Sequence, residues 1–418
     1  MARRNLPEGL YEAVVDGFTH GGEGVVRIDG KAVFVPGTIP GERVRLRIVD
    51  DRKRWARAEL VSVLEASPDR VIPPCPFVPD CGGCDLQHIA TDAQRALKTR
   101  VVREQLERLG GITDPPVRDC QAVGPDLGYR THAQLHAATD GRLGFHRAGS
   151  HEVVPVDRCL VVTDGVQALR EAVGDATGAD AVALRSHLST GTAAVELTPG
   201  PGPLELPEGN FDIALTQPDG TVARLRGDGV LAEDVADHRF TFDVTAFFQV
   251  TTHGAEALVR AVLEAAGDVT GAVVWDLYAG VGLLSLPLAA AGAEVVAVEG
   301  HHVAASQAAT NADVNGRELK VVAGHVADLT ADATTGVATV PLPDVVVLDP
   351  PRSGAGREVI EDLVAIAPAR IVYVACDVAA LARDAGTLTD RGYRLTDALP
   401  LDLFPMTHHV EVVATFAR

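Results

Sequence analysis

Residues 273–282 read Val-Val-Trp-Asp-Leu-Tyr-Ala-Gly-Val-Gly. An apolar, largely β-branched run that ends in an acid and a glycine turn is the pattern of a parallel strand, buried on both faces, with a tight loop at its carboxyl end. Three further runs downstream share this form: EVVAVEG (294–300), DVVVLD (344–349) and IVYVAC (371–376), with amphipathic segments between them. The alternation predicts an α/β, doubly wound sheet over residues 241–418. Ligands of such sheets lie beyond the carboxyl ends of the strands, so the residues that close each run carry the functional weight.

Gly280 and Gly282 let the backbone approach a nucleoside. Glu299, which ends the next strand roughly 20 positions on, is placed to accept hydrogen bonds from ribose hydroxyls. The full G-x-G-x-x-G of dinucleotide enzymes is absent, because Leu283, Leu284 and Ser285 follow Gly282. A pyrophosphate cradle is therefore disfavoured and S-adenosylmethionine preferred. Asp349, followed by Pro350 and Pro351, closes its strand facing the substrate side. Cys376 closes another just ahead of a helix, where a thiol can have a lowered pKa and attack as thiolate.

Upstream, residues 1–64 alternate in short segments broken by glycine turns, which predicts a small antiparallel β-barrel. A central region, 65–240, looks strand-rich and weakly periodic, interrupted by a helix over 91–109 whose apolar positions include Ala93, Leu97, Val101 and Leu106. A chain of 418 residues with 46% hydrophobic content suits two or three domains.

The net charge of −20 argues at first against nucleic acid, but the basic residues gather in the N-terminal quarter, at Arg43 to Arg57 and again from Arg95 to Arg108. By charge alone, an RNA-holding module and a solvated face weigh equally. The opening residues contain no continuous apolar run, and the longest uncharged stretch falls short of the ~20 residues of a membrane span. The expectation is a cytoplasmic protein, off the membrane and monomeric.

Six cysteines are too few for a disulfide scaffold, and Cys75, Cys81 and Cys84 crowd together, with Cys159 distant. Four thiolates can hold a zinc ion or an iron–sulfur cluster, and three close ligands with a remote fourth lean toward the cluster. Cys120 has no assigned role.

At this point the chain resembles the RNA 5-methyluridine methyltransferases, in particular the members with an N-terminal TRAM domain and an iron–sulfur cluster. The resemblance rests on CPFVPDCGGCDLQH (75–88), FFQVT (247–251), DLYAGVG (276–282), VVVLDPPRSG (345–354), IVYVACDVAALARD (371–384) and FPMTHHVEVVATF (404–416), and covers nearly the whole chain. It implies a class I methyltransferase fold. Cys75, Cys81, Cys84 and Cys159 would be ligands of a [4Fe-4S] cluster, and Gln249, Tyr278, Gly280, Glu299 and Asp349 would contact S-adenosylmethionine. Cys376 would be the nucleophile and Glu411 the base. The chain departs from the family pattern at Leu283 and at Ala375-Cys376-Asp377-Val378, where Ser-Cys-Asn-Pro is usual.

The chemistry stands apart from the name. Carbon 5 of uracil is a poor nucleophile until a thiolate adds to carbon 6, and a base must afterwards remove the carbon-5 proton. The target base has to leave the RNA stack, and Phe248 or Phe404 is expected to stack on it. The implied substrate is 23S rRNA, with tRNA the alternative. A radical methylthiotransferase lacks support, because no C-x3-C-x2-C is present. A non-catalytic RNA-binding protein is disfavoured by the joint presence of Cys376, Glu411 and Asp349.

Overall fold

The computed structural model describes residues 6, 9–78, 80–175, 178–187 and 189–418. The N-terminal strands form one six-stranded sheet in the order Leu10–Val14, Arg43–Asp51, Trp55–Glu65, Lys31–Val35, Gly24–Ile28 and Gly17–Phe18. Neighbours are antiparallel except for the parallel pairing of Lys31–Val35 with Trp55–Glu65. Strict alternation turns Val33, Val35, Val44 and Leu46 inward onto a core of their own.

The central region is more ordered than its weak periodicity predicts. Seven strands between Val153–Pro155 at one edge and Val222–Arg226 at the other form a mixed sheet. The helix Asp164–Val173 lays Val166, Leu169 and Val173 against Val182, Leu184 and Leu197 of that sheet. Its signals are local: the Thr163 hydroxyl accepts from the Val166 N–H, and Gly174 ends it at a φ of 65°.

The C-terminal sheet has eight strands, in the order Lys320–Ala323, Glu294–Glu299, Val273–Leu277, Val345–Leu348, Arg370–Ala375, Glu411–Ala417, Arg394–Asp402 and Gln121–Ala122. The first five are parallel, whereas Glu411–Ala417 runs antiparallel to both its neighbours. The expected doubly wound sheet is present, with helices on both faces. The order reverses next to Val273–Leu277, which opens a crevice at the carboxyl edge.

Two additions lock onto this sheet. The helix Thr91–Arg108 buries Val102 and Leu106 in the core beneath Val378–Asp390, and its Lys98 ammonium meets Asp402 at 2.5 Å with both side chains almost fully buried. The hairpin of Val230–Val235 and His238–Asp243 drives Phe240 and Phe242 into the other core, so the boundary drawn at 240/241 falls inside its second strand.

Asn311, fully buried on the helix His302–Val314, joins the hairpin to the glycine loop. Its amide donates to the carbonyls of Thr241 and Val281, both at 3.0 Å, and its oxygen accepts from the Thr241 N–H and hydroxyl at 2.8 Å. Replacing it with Leu strands several buried backbone groups, each costing ~1–3 kcal/mol. Urea unfolding of Asn311→Leu, followed through buried Trp275 in a Trp55→Phe background, is expected to show a loss of about 3 kcal/mol. A loss under about 1 kcal/mol would mean that the amide is not a structural tie.

Candidate active site

A cleft of about 640 Å³ opens at the carboxyl edge of the sheet. The seven residues expected to bind cofactor or act in catalysis, Gln249, Tyr278, Gly280, Glu299, Asp349, Cys376 and Glu411, all line it. Topology explains the meeting of residues so distant in sequence. Leu277, Leu348 and Tyr373 are in register across parallel strands, which places the turns after them side by side. Ala375 lies opposite Val412, so the antiparallel strand begins at Glu411 where the parallel ones end.

On the cofactor side, the backbone is bent to leave room. Tyr278 has a φ of 64° and Gly280 one of 57°, and a non-glycine residue in the left-handed region is uncommon enough to mark a constrained site. The Glu299 carboxylate holds the turn: one oxygen accepts from the Gly280 N–H at 2.8 Å and the other from the His301 N–H at 2.7 Å. Each oxygen keeps a second lone pair for an outside donor. Beneath the turn lies Asp276, buried and accepting from the Ser285 hydroxyl at 2.5 Å; burial lifts its carboxyl to about 7. Asp349 is pushed to about 7 as well, by burial and by the nearby Asp276.

The reactive side differs from the expectation of a thiol acidified by a helix. Burial first, then the Glu411 and Asp349 carboxylates, push the Cys376 thiol up to about 11, with Arg352 opposing them. Glu411, only 4% exposed, is driven well above the ordinary carboxylate range by burial and by Asp349. His409, also on the cleft wall, is lowered to about 4 by burial and neighbouring His408 and is therefore neutral near pH 7.

Of the two aromatics expected to stack on a base, Phe404 lines the cleft. Phe248 does not: it stacks on Phe242 with ring centroids 4.4 Å apart, inside the core. Its neighbour Phe247 takes the rim position, 70% exposed. Strand-end alternation over Ala246-Phe247-Phe248 carries this distinction, and a one-residue shift exchanges core for rim. Arg352 and His409 were also missed as cleft residues.

The cysteine loop supports the cleft from behind. The Met406 carbonyl accepts from the Asp85 and Leu86 N–H groups, and Asp85 holds both the backbone and the ring of His408. Cys84 and Cys159 share an apolar cluster with Met406 and Phe404. Burial raises the Cys84 thiol to about 12, and Cys159, Cys81 and Cys75 are all close enough to add to that rise. Thus the loop of three thiols and the distant fourth converge. Among the described residues, however, no group of three or more His, Cys, Asp or Glu is arranged to hold a metal ion.

Comparison with known proteins supplies the class of reaction. A family model described as tRNA (uracil-5-)-methyltransferase matches residues 228–418, and the TRAM domain model matches 10–61. An RNA methyltransferase of Streptomyces coelicolor is 37% identical, over 97% of this chain and 92% of that protein. The 23S rRNA (uracil(1939)-C(5))-methyltransferase of Alkalilimnicola ehrlichii is 36% identical across 100% of this chain and 98% of its own length. The chain belongs to the RNA uracil-C5 methyltransferase family. Among solved structures, the Pyrococcus abyssi tRNA (uracil-54, C5)-methyltransferase bound to S-adenosyl-L-homocysteine superposes with a TM-score of 0.77 at 26% identity. That match covers 97% of this chain and 100% of the other. The protein is thus an S-adenosylmethionine-dependent RNA methyltransferase with an RNA-binding TRAM domain. Among the described residues no helix is long and apolar enough to cross a membrane.

A thiol held near 11 is only sparsely ionised at neutral pH, and its thiolate fraction grows about tenfold per pH unit below that value. Alkylation of Cys376 by iodoacetamide, read peptide by peptide in the mass spectrometer, should therefore climb about tenfold per unit from pH 7 to 9 without levelling. A plateau near pH 7 would show that the thiol is acidified after all.

Proposed function

We propose that the enzyme methylates carbon 5 of a uridine through a covalent bond between Cys376 and carbon 6. The observation that carries this reading is the convergence of Cys376 and Glu411 on the same cleft as the Gly280–Glu299 turn. The thiolate of Cys376 adds to carbon 6, and the electron pair displaced from the 5,6 double bond makes carbon 5 nucleophilic. S-adenosylmethionine, when bound, supplies a methyl group on a positively charged sulfur. Tyr278, Gly280, Glu299, Gln249 and Asp349 would hold the cofactor, with Glu299 as the acceptor for ribose hydroxyls. Once carbon 5 carries the methyl group, Glu411 takes its proton, the double bond re-forms and the sulfur leaves carbon 6.

The two groups are matched by their burial. A carboxylate raised above its ordinary range is a stronger base once ionised, and a thiolate derived from a weakly acidic thiol is a stronger nucleophile. Arg352 is the cation that favours both ionised forms. With Glu411→Gln, turnover should fall about a thousandfold while methylated RNA accumulates as a complex that survives denaturing detergent. Free methylated product at the native rate would remove Glu411 from the mechanism.

For the RNA, tRNA is the first reading, because the catalytic family description and the superposable Pyrococcus abyssi enzyme both concern tRNA. The expected 23S rRNA is the second, favoured by the Alkalilimnicola ehrlichii relative. Nucleoside mass spectrometry of separated tRNA and rRNA from a strain lacking the gene decides: 5-methyluridine should vanish from one position in tRNA, and loss confined to 23S rRNA would reverse the order.

Cys75, Cys81, Cys84 and Cys159 fit a [4Fe-4S] cluster by donor chemistry, being four soft thiols near enough for the other three to raise the pKa of Cys84. Such a cluster would brace the 81–88 loop against the loop bearing Phe404 and His409. Anaerobically purified protein is expected to contain about four iron and four sulfide per chain. Stoichiometric zinc without sulfide would contradict the assignment.

A further inference from the structure

The residue after Cys376 is Asp377, a carboxylate next in the chain to a thiol that must ionise. One Asp377 oxygen accepts from the Ala380 N–H at 2.7 Å and caps the helix Val378–Asp390. The other meets Nε2 of His20 at 3.2 Å, across a sequence separation of 357 residues. Burial works against the ionised carboxyl, yet the Ala380 N–H, His20 and Arg383 together hold it below its usual range.

His20 belongs to the TRAM domain, on a loop whose shape leaves little slack. The Thr19 hydroxyl accepts from the Glu23 N–H, and the Gly22 N–H donates to the Thr19 carbonyl. Gly22 has a φ of 79° and lies so close to the 408 loop that a Cβ there would stand 2.9 Å from the Cβ of His408. The loop therefore touches both ends of the reactive pair's scaffold: Asp377 beside Cys376 and His408 three residues before Glu411.

Its other face is open. Thr19, His20 and Gly21 form one end of a groove of about 880 Å³ between the TRAM sheet and the helix Thr91–Arg108. Phe34 and Trp55, with ring centroids 6.1 Å apart, line the same groove with Arg27, Arg57, Arg100 and Arg108, the first three of which pair with Asp16, Glu23 and Glu104 on its wall at 4.0, 3.6 and 2.6 Å. Aromatic faces among guanidinium groups suit single-stranded RNA.

We propose that His20 is a positioning residue for the nucleophile: its bond to Asp377 fixes the start of the helix behind Cys376, and RNA lying in the groove bears on the same loop. Seating of the RNA on the TRAM domain is thereby linked to placement of the thiol. The inference rests on the reading of Cys376 as nucleophile.

The test uses the full-length holoenzyme and unmodified RNA from a strain lacking the gene. His20→Ala should lower kcat about tenfold and leave the KM for S-adenosylmethionine unchanged, because a charge-assisted bond to the nucleophile loop is lost and no cofactor contact is touched. His20→Gln, whose amide can still donate to Asp377, should restore most of the rate. Combining His20→Ala with Asp377→Ala should cost no more than the worse single change, since the bond between the two side chains is absent from both. A kcat for His20→Ala within about twofold of native, no rescue by Gln, or additive losses would each overturn the proposal. Cys376→Ser separates the two levels of the argument. If that variant is inactive while His20→Ala is native, only the positioning role falls; if it turns over, the nucleophile reading falls first.

Discussion

The arrangement depends on one backbone constraint, the insertion of Glu411–Ala417 antiparallel between Arg370–Ala375 and Arg394–Asp402. In an all-parallel sheet every strand ends at the ligand edge and begins at the opposite one, so no strand start can reach the cleft. Reversing a single strand brings its first residue to that edge. Hydrogen-bonded strands lie ~4.8 Å apart, and with Ala375 paired to Val412 the residues just beyond this pair, Cys376 and Glu411, become neighbours by ladder geometry. The proposed nucleophile and base are thus held at the ends of two paired strands.

That closeness has an electrostatic consequence. Glu411, Asp349 and Asp276 are three acids in a poorly solvated space, and each raises a neighbour's pKa. Arg352 stands where it relieves both Glu411 and Cys376.

Legibility followed the range of the forces involved. The parallel strands, the glycine turn and Glu299 were readable because period, turn chemistry and acid lie within a few residues of each other. The seven cleft residues were nameable because the family pattern ties them together, and the structure brings them to one place. The rise in the Cys376 pKa was hidden, since it arises from burial in the assembled cleft and then from the Glu411 and Asp349 carboxylates, which no local pattern relates to the thiol. Phe247 and Phe248 are adjacent and chemically identical, and only packing against Phe240 and Phe242 distinguishes rim from core. The contact between His20 and Asp377 was similarly invisible, being a meeting of two domains.

The proposed chemistry turns on a sulfur–carbon bond at residue 376. Its most direct test is to incubate the enzyme with S-adenosylmethionine and RNA carrying 5-fluorouridine, digest both polymers, and sequence the nucleotide-bearing peptide by mass spectrometry. Fluorine at carbon 5 has no proton for Glu411 to remove, so the methylated ring should stay attached to Cys376. Methyl transfer to normal RNA with no trapped peptide, or a ring found on a different cysteine, would contradict the account.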